Sequence, residues 1–230
     1  MADEPVFLIT GASTGIGAAT ARAAAEAGYR LVLAARSEDK LAGLADELGG
    51  EEKALAVRCD VTDFSDQEAM VARAIDAYGR IDVAFANAGF GGPRGFEAGD
   101  PDEWKQMVLT NVLGVAYTIR ATKPALTDST GHLLITSSVA GRRALKGSLY
   151  SATKWAVTGM GEAARQDFNE SGVRVTLIEP GMVDTPFFHS PPEIEALKAD
   201  DIARAVMYAV SQPPHVDVNE ILIRPTAQPT

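Results

Sequence analysis

Three side chains at suggestive spacings could act on a carbonyl group. Tyr150 and Lys154 stand four positions apart, and Ser138 precedes the tyrosine by twelve residues. On a helix, a spacing of four places both side chains on one face, so an ammonium group can lie beside a phenol. A free phenol has a pKa of about 10, and a nearby cation lowers it towards the working pH. We therefore expect Tyr150 to protonate a carbonyl oxygen that Ser138 hydrogen-bonds; a surface Tyr–Lys pair is the alternative for this spacing alone.

A glycine-rich turn far upstream could receive a diphosphate. The segment 10–17 has glycines at positions 11, 15 and 17 and joins the first predicted strand to the first predicted helix. Exposed N–H groups and the positive end of a helix attract phosphate. A tight strand–helix connection is the other explanation, but the position after the first strand favours dinucleotide binding. The residues predicted to bind here are Gly11, Ser13, Thr14, Gly15, Ile16 and Gly17.

The end of the second predicted strand indicates which dinucleotide is bound. Enzymes that select NAD usually place an acidic residue here, which binds the ribose hydroxyls. This chain has Ala35 followed by Arg36, and a guanidinium can pair with a 2′-phosphate. We therefore expect NADP(H) to be preferred over NAD(H). A solvated arginine at a strand end is the alternative.

Further candidate cofactor residues follow the third and fourth predicted strands. Asp60 and Val61 follow the third strand, and Asp60 with the neighbouring backbone could hold the adenine edge. Asn87, Ala88 and Gly89 follow the fourth, where a short polar side chain and a glycine allow close packing beside a cofactor. Either segment could instead be turn chemistry. For Asn87, support of the binding turn is favoured over direct catalysis.

The composition restricts the class of protein. The chain has 230 residues, 46% of them hydrophobic, and a formal net charge of −10, which suits one domain and opposes binding to nucleic acid. A single cysteine, Cys59, favours a reducing, cytoplasmic location. The apolar runs are too short to cross a membrane, and the three histidines lack companions at ligand spacing. Neither a membrane nor a protein-bound metal is therefore expected.

Strand-like and helix-like segments alternate along the chain. The predicted strands are 6–10, 30–35, 53–58, 81–86, 132–137, 173–179 and 219–224. The predicted helices are 15–27, 38–48, 66–78, 102–126, 151–170 and 200–211, the first three ended by glycines. This order predicts one α/β domain over residues 1–230: a Rossmann-like, doubly wound sheet of seven mainly parallel strands with helices on both faces. Ligands would bind at the carboxyl ends of the strands.

Together these motifs resemble those of the short-chain dehydrogenase/reductase family, across nearly the whole chain. The matching residues are the 10–17 turn, Asp60, Asn87-Ala88-Gly89, Asn111, Ser138, Tyr150-x-x-x-Lys154 and Pro180-Gly181, in family order. The resemblance implies that Tyr150 donates a proton during reduction and that Ser138 orients the carbonyl. Lys154 would hold the nicotinamide ribose and lower the tyrosine pKa, and Asn111 would complete a water-linked proton path.

The resemblance also assigns the segment after the sixth strand. Pro180 and Gly181 open a stretch that would lie against the nicotinamide. The backbone near Val183 and the hydroxyl of Thr185 would bind its carboxamide.

One departure from the family concerns the serine. Family members often place one more residue between serine and tyrosine, a count that would select Ser137. Ser138 is favoured because small residues follow it at 139–141, and the missing residue is assigned to the loop 142–149.

Three loops are expected to form the substrate site: 90–96, 139–149 and 182–199. The expected substrate is a small or extended carbonyl compound, or its alcohol. A narrower resemblance, carried by residues 214–225, is to a subgroup acting on small 3-hydroxy acids. Four cations could attract an anionic group, although none is assigned: Arg94, Arg142, Arg143 and Lys146.

The family resemblance further implies homodimers or homotetramers that pair through their long helices. The main functional alternative is a non-catalytic dinucleotide-binding regulatory or scaffold protein. The presence of Asn111, Ser138, Tyr150 and Lys154 together favours an enzyme. Epimerisation or dehydration through a transient oxidised intermediate is a remote third possibility, because a large C-terminal sugar-binding region is missing.

Overall fold

A parallel sheet forms the centre of the protein, whose computed structural model describes residues 4–97, 99–187 and 194–228. The strands are β1 (Val6–Thr10), β2 (Arg30–Ala35), β3 (Ala54–Arg58), β4 (Val83–Ala86), β5 (His132–Thr136), β6 (Arg174–Pro180), β7 (Val183–Asp184), β8 (Leu197–Lys198) and β9 (Glu220–Ile223). Seven of them form the main sheet in the order β3-β2-β1-β4-β5-β6-β9, all parallel. The predicted seven-stranded, Rossmann-like sheet is confirmed.

Helices cover both faces of this sheet. They are α1 (Gly15–Glu26), α2 (Glu38–Glu47), α3 (Phe64–Tyr78), α4 (Pro101–Val108), α5 (Gly114–Ser129), α6 (Leu149–Phe168) and α7 (Ala199–Val210). Residues of α3, α5 and α6 pack on one face, and those of α1, α2 and α7 on the other. Strand β1 shows why both faces are needed, since Val6 and Leu8 point into one core layer and Phe7 and Ile9 into the other.

Glycines end the first three helices, as the sequence predicts. Gly28, Gly49 and Gly79 follow them with φ angles of 86°, 106° and 75°. A residue with a Cβ rarely adopts this left-handed conformation, so glycine stops the helix at little cost.

The predicted long helix 102–126 is present as an unbroken helical stretch over 101–129, but it is not regular throughout. A π-helical turn, Leu109–Leu113, lies between its α-helical parts α4 and α5. Asn111 lies in this turn, and its amide bonds both backbone groups of Phe90. Turns of this kind are rare and often occur at functional sites.

Smaller differences concern strand ends. Strand β4 begins at Val83 rather than 81, and the carboxylate of Asp82, just before it, accepts a hydrogen bond from the Val6 N–H at 2.8 Å. Strands β7 and β8 form a separate two-stranded parallel sheet that the sequence did not predict. This small sheet joins the two ends of the third predicted substrate loop.

Candidate active site

Ser138, Tyr150 and Lys154 meet at the carboxyl end of β5. Ser138 lies two residues beyond that strand, whereas Tyr150 and Lys154 lie on the first turns of α6. The Ser138 hydroxyl faces the Tyr150 phenol and opposes the rise of its pKa that burial causes, and its Oγ donates to the Pro180 carbonyl at 3.3 Å. The Lys154 Nζ atom is 5.7 Å from the centroid of the Tyr150 ring. The structure thus brings together a hydroxyl, a phenol and a cation from two separate elements.

Lys154 is a buried cation. Only 4% of the residue is exposed, and its Nζ donates a hydrogen bond to the Thr136 carbonyl at 2.7 Å. Burial lowers the pKa of Lys154 to about 8, so the side chain is still mostly protonated at neutral pH. A Cβ at Gly89 would lie 3.8 Å from this Nζ, which places the Asn87-Ala88-Gly89 segment beside the lysine.

The direction of the Tyr150 pKa differs from the expectation. Burial raises the pKa of Tyr150 to about 12, while the hydrogen bond with Ser138 opposes that rise. The expected lowering by Lys154 is therefore not what this arrangement produces. The reason is geometric: the Lys154 ammonium donates to the Thr136 carbonyl and lies over the tyrosine ring, so desolvation of the phenol dominates.

Asn111 connects the π-helical turn to the chain beside the lysine. Its Oδ1 accepts from the Phe90 N–H at 3.0 Å, and its Nδ2 donates to the Phe90 carbonyl at 2.8 Å. The same Nδ2 lies 3.2 Å from the Thr153 hydroxyl, next to Lys154. The amide is thereby fixed close to the lysine, and its role in a proton path stays a prediction.

The two neighbouring serines face different partners. Ser138 accepts a hydrogen bond from the Ala140 N–H at 3.1 Å and reaches Tyr150. Ser137 instead donates to the Lys154 carbonyl at 3.2 Å and lies 2.8 Å from the Thr158 hydroxyl. This geometry favours Ser138 as the residue facing the phenol.

The glycine-rich turn is packed tightly against Asn87. A Cβ on Gly17 would lie 2.3 Å from the Gly11 carbonyl oxygen, and Gly11 itself has a φ of 67°. The Asn87 amide donates to the Thr10 carbonyl at 3.1 Å. The chain can form this turn only with glycines at 11 and 17, and Asn87 supports it, as the structural interpretation of Asn87 expects.

The start of α1 is suited to an anion. Thr14 occupies the N-cap without a side-chain capping bond, and the first turn contains no acidic residue. Helices α2, α3, α4 and α7 each carry an acidic residue in their first turn. The backbone N–H groups and positive dipole of α1 are thus left for an external acceptor such as a diphosphate.

The residues around this turn also favour an anion site. Ser13, Thr14, Gly15 and Ile16 are partly exposed. Thr185 lies across from Gly15, where an added Cβ would be 3.3 Å from the threonine Cβ. The segment after β6 therefore closes onto the glycine-rich turn, and the residues present fit a dinucleotide.

Arg36 and Asp60 lie near each other beyond β2 and β3. The Asp60 carboxylate accepts hydrogen bonds from the Thr62 N–H at 3.0 Å and hydroxyl at 2.8 Å. Burial raises the pKa of Asp60, but these bonds and the positive charges of Arg36 and Arg58 outweigh it, and the pKa stays below its ordinary value. Arg36 is exposed, and the predicted roles of both residues towards a nucleotide remain untested.

Val61, Pro180, Gly181 and Val183 have structural contacts of their own. Val61 is buried against Gly114, where an added Cβ would lie 3.0 Å from the valine methyl. The Gly181 N–H donates to the Ile223 carbonyl at 2.7 Å, and Val183 is buried in β7. The Gly181 bond ties the start of the predicted nicotinamide segment to β9.

An aromatic side chain packs against the tyrosine. Phe187 packs edge-on against Tyr150, with ring centroids 5.5 Å apart. A Cβ at Gly91 would lie 2.7 Å from the Phe187 ring, so glycine makes room for it. The loops 90–96 and 139–149 are joined by a hydrogen bond from the Gly95 N–H to the Gly147 carbonyl at 2.8 Å. Residues 188–193 of the third loop lie outside the described residues.

One of the four candidate cations is already paired. Arg142 binds the carboxylates of Glu179 and Glu220, whereas Arg94, Arg143 and Lys146 are exposed. Sequence reasoning missed Glu179 because it lies 37 positions from Arg142 and carries no motif of its own.

The described ranges contain no helix whose length and apolar character would let it cross a bilayer. Within the same ranges, no group of three or more His, Cys, Asp or Glu residues is placed to hold a metal ion.

Comparison with known proteins agrees with this geometry. The family model described as short chain dehydrogenase matches residues 5–195. An uncharacterised oxidoreductase of Listeria monocytogenes is 38% identical, over 97% of this chain and 97% of its own length. An alcohol dehydrogenase from the archaeon Thermococcus sibiricus, complexed with 5-hydroxy-NADP, has a TM-score of 0.91 and 35% identity over 98% of both chains.

A second solved structure is similar over almost the same length. A serine dehydrogenase complexed with NADP+ has a TM-score of 0.90 at 28% identity, over 97% of this chain and 96% of its own. The chain is therefore an oxidoreductase that belongs to the short-chain dehydrogenase/reductase family.

Proposed function

We propose that this protein interconverts a carbonyl compound and its alcohol by hydride transfer, with NADP(H) as the cofactor. The observation that carries the proposal is the meeting of Ser138, Tyr150 and Lys154 at the carboxyl end of β5. A dinucleotide-binding scaffold would not need a buried ammonium beside a phenol that a serine also hydrogen-bonds.

In the proposed reaction, the chain positions the carbonyl and moves the proton. The bound nicotinamide supplies the hydride in reduction and accepts it in oxidation. The Ser138 hydroxyl hydrogen-bonds the carbonyl oxygen, and the Tyr150 hydroxyl donates its proton to that oxygen. Lys154 would hold the nicotinamide ribose with its buried ammonium, and Asn111 and the Thr136 carbonyl hold the surrounding groups in place.

The proposal is tested with a panel of ketones, aldehydes and 3-oxo acids. Oxidation of NADPH is followed by absorbance for the wild type and for Tyr150→Phe. We expect turnover by the wild type on at least one compound, and a loss on the order of a hundredfold or more in kcat for the variant. NADPH binding without turnover on the whole panel would instead favour a regulatory or scaffold function.

The preference for NADP(H) is proposed from Arg36. Its exposed guanidinium follows β2, and the carboxylate of Asp60, on which Arg36 acts electrostatically, already accepts two hydrogen bonds from Thr62. Two similar solved structures are complexed with NADP+ or a derivative of it. We expect kcat/KM to favour NADPH in the wild type and to shift towards NADH in Arg36→Asp. A wild type that prefers NADH would contradict the assignment.

A homodimer or homotetramer formed through the long helices is also proposed. On these helices Val157 is buried in the core, whereas Val108 and Trp155 are 41% and 50% exposed. Exposed apolar residues on neighbouring helices support a helix-paired interface. A monomeric mass in light scattering at every protein concentration would rule this out.

A further inference from the structure

We propose that Glu179 and Arg142 are positioning residues that align Ser138 with Tyr150, a role that rests on the proposed function. Glu179 is fully buried near the end of β6, and Arg142 directly follows the short helical turn Val139–Gly141 that Ser138 caps. The Nε atom of Arg142 lies 2.8 and 2.9 Å from the two Glu179 oxygens. The pair therefore ties the end of β6 to the turn that carries Ser138.

The same carboxylate reaches the helix that carries Tyr150 and Lys154. The Thr158 hydroxyl lies 3.4 Å from Glu179 Oε1 and 2.8 Å from the Ser137 hydroxyl. Thr158 stands one helical turn after Lys154, whose carbonyl accepts from Ser137 at 3.2 Å. One polar network thus connects β6, the turn after β5 and helix α6, which are the elements that supply the active-site groups.

Packing around this network is close. A Cβ at Gly141 would lie 2.6 Å from the Thr158 hydroxyl and 2.7 Å from the Lys154 carbonyl. Pro180, the residue after Glu179, has its carbonyl oxygen 3.3 Å from the Ser138 hydroxyl. A displaced Glu179 would therefore move a direct neighbour of Ser138 and loosen the helical turn that follows Lys154.

The Glu179–Arg142 pair is better suited to fixing the position of the Ser138 turn than to stabilising the fold. Glu179 is buried, whereas the Arg142 side chain is 36% exposed, so the pair itself adds little to stability; the contact of one Arg142 N–H with both carboxylate oxygens fixes where the turn after Ser138 lies. Arg142 also binds Glu220 on β9, whose side chain is 49% exposed. Glu220 therefore provides a matched control: the same arginine, the same residue type, and no contact with α6 or Ser138 among the bonds described above.

The test compares Glu179→Gln with Glu220→Gln in the full-length protein. Glutamine keeps the shape of the side chain and removes its charge. We expect Glu179→Gln to lower kcat on the order of tenfold or more, because small misplacements of reacting groups are costly. Its Kd for NADPH, measured by fluorescence titration, and its KM should change by less than about twofold. Glu220→Gln should change all three quantities by less than about twofold.

A second variant covers the case in which Glu179→Gln does not fold. Thr158→Val removes the hydroxyl between Glu179 and Ser137 without changing any charge. It should give a smaller loss with the same selectivity for kcat.

Two results would overturn the positioning role alone, provided that the wild type is active. In the first, Glu179→Gln and Thr158→Val have the same kcat as Glu220→Gln. In the second, kcat and the affinity for NADPH fall together with Tm in the Glu179 and Thr158 variants. A wild type that turns over no carbonyl would overturn the proposed function, and this role with it.

Discussion

A basic side chain is buried at each end of strand β5, and at neutral pH one of the two is uncharged while the other is a cation. His132, the first residue of the strand, is 1% exposed, and burial lowers its pKa to about 3. Lys154, which donates to the carbonyl of the last residue, Thr136, has its pKa lowered by burial to about 8. At neutral pH the histidine is neutral and the lysine is mostly a cation. Burial disfavours the charged form of both groups. It leaves His132 neutral but Lys154 mostly charged, because a lysine starts from a much higher pKa than a histidine.

At the amino end of β5, His132 forms its hydrogen bond within the protein. The His132 Nε2 atom lies 2.7 Å from the Thr176 hydroxyl, and that hydroxyl donates to the Val218 carbonyl at 2.6 Å. Since the threonine proton is used there, His132 must donate through Nε2, which leaves its Nδ1 as an acceptor without a partner among the described residues. A neutral, internally bonded base serves the fold, whereas a buried cation beside a phenol is suited to chemistry.

The sharpest contrast between the two ends should appear in catalysis. Lys154→Met is expected to lower kcat/KM on the order of a thousandfold, because the site loses the buried cation that lies over the Tyr150 ring and would hold the nicotinamide ribose. His132→Gln keeps a donor towards Thr176 and should leave kcat/KM within about twofold. Steady-state kinetics with NADPH measures both. Equal losses in the two variants would remove the distinction between a structural and a functional end.

The neighbouring serines provide the next largest effect. Ser138→Ala should reduce kcat by about a hundredfold or more, the usual cost of losing a hydrogen bond to a developing oxyanion. Ser137→Ala should lose only a few-fold, because Ser137 contacts the Lys154 backbone and Thr158 rather than the phenol. If Ser137→Ala were the more damaged enzyme while remaining folded, the assignment of the catalytic serine would be reversed.

Two glycine substitutions test how closely the backbone packs in the glycine-rich turn, with one of them, in α2, as the control. Gly17→Ala should destabilise the protein by roughly 3 kcal/mol or more, since its Cβ would lie 2.3 Å from a backbone oxygen. Gly43→Ala, in α2 with nothing within 4 Å, should stabilise it by about 0.5–1 kcal/mol. Urea denaturation gives both values. A neutral Gly17→Ala would mean that the turn yields easily.

The smallest expected effect is on the free energy of unfolding at acid pH, and it comes from His132 at the amino end of β5. The folded-state pKa of His132, about 3, lies below the ordinary histidine pKa of 6.5, so the unfolded chain binds more protons between these pH values. Stability contributed by neutral His132 is therefore present above pH 6.5 and lost as the pH falls towards 3. At pH 5 the wild type should have lost about 1–2 kcal/mol more than His132→Gln. Parallel pH–stability curves for the two proteins would contradict this.

Local patterns in the sequence predicted most of the fold but only part of the site. Alternating apolar runs and helix-ending glycines such as Gly79 predicted the seven strands and the first three helices to within about two residues. The pairing of Arg142 with Glu179 depends on two segments meeting in space, so no local pattern indicates it. The direction of the Tyr150 pKa likewise depends on burial, which spacing alone does not reveal.

The π-helical turn has a consequence for how this chain can tolerate change. Leu109–Leu113 contains one residue more than a regular helical turn would need. Deleting one residue here would restore regular α-helix and leave α4 and α5 at nearly the same angle to each other, because the wide turn takes up its extra residue within a single turn. The widened backbone that presents Asn111 to Phe90 and Thr153 would be lost. A deletion within the turn should therefore remove the contacts of Asn111, whereas a deletion in the regular helix on either side would rotate one helical segment against the other by about 100°.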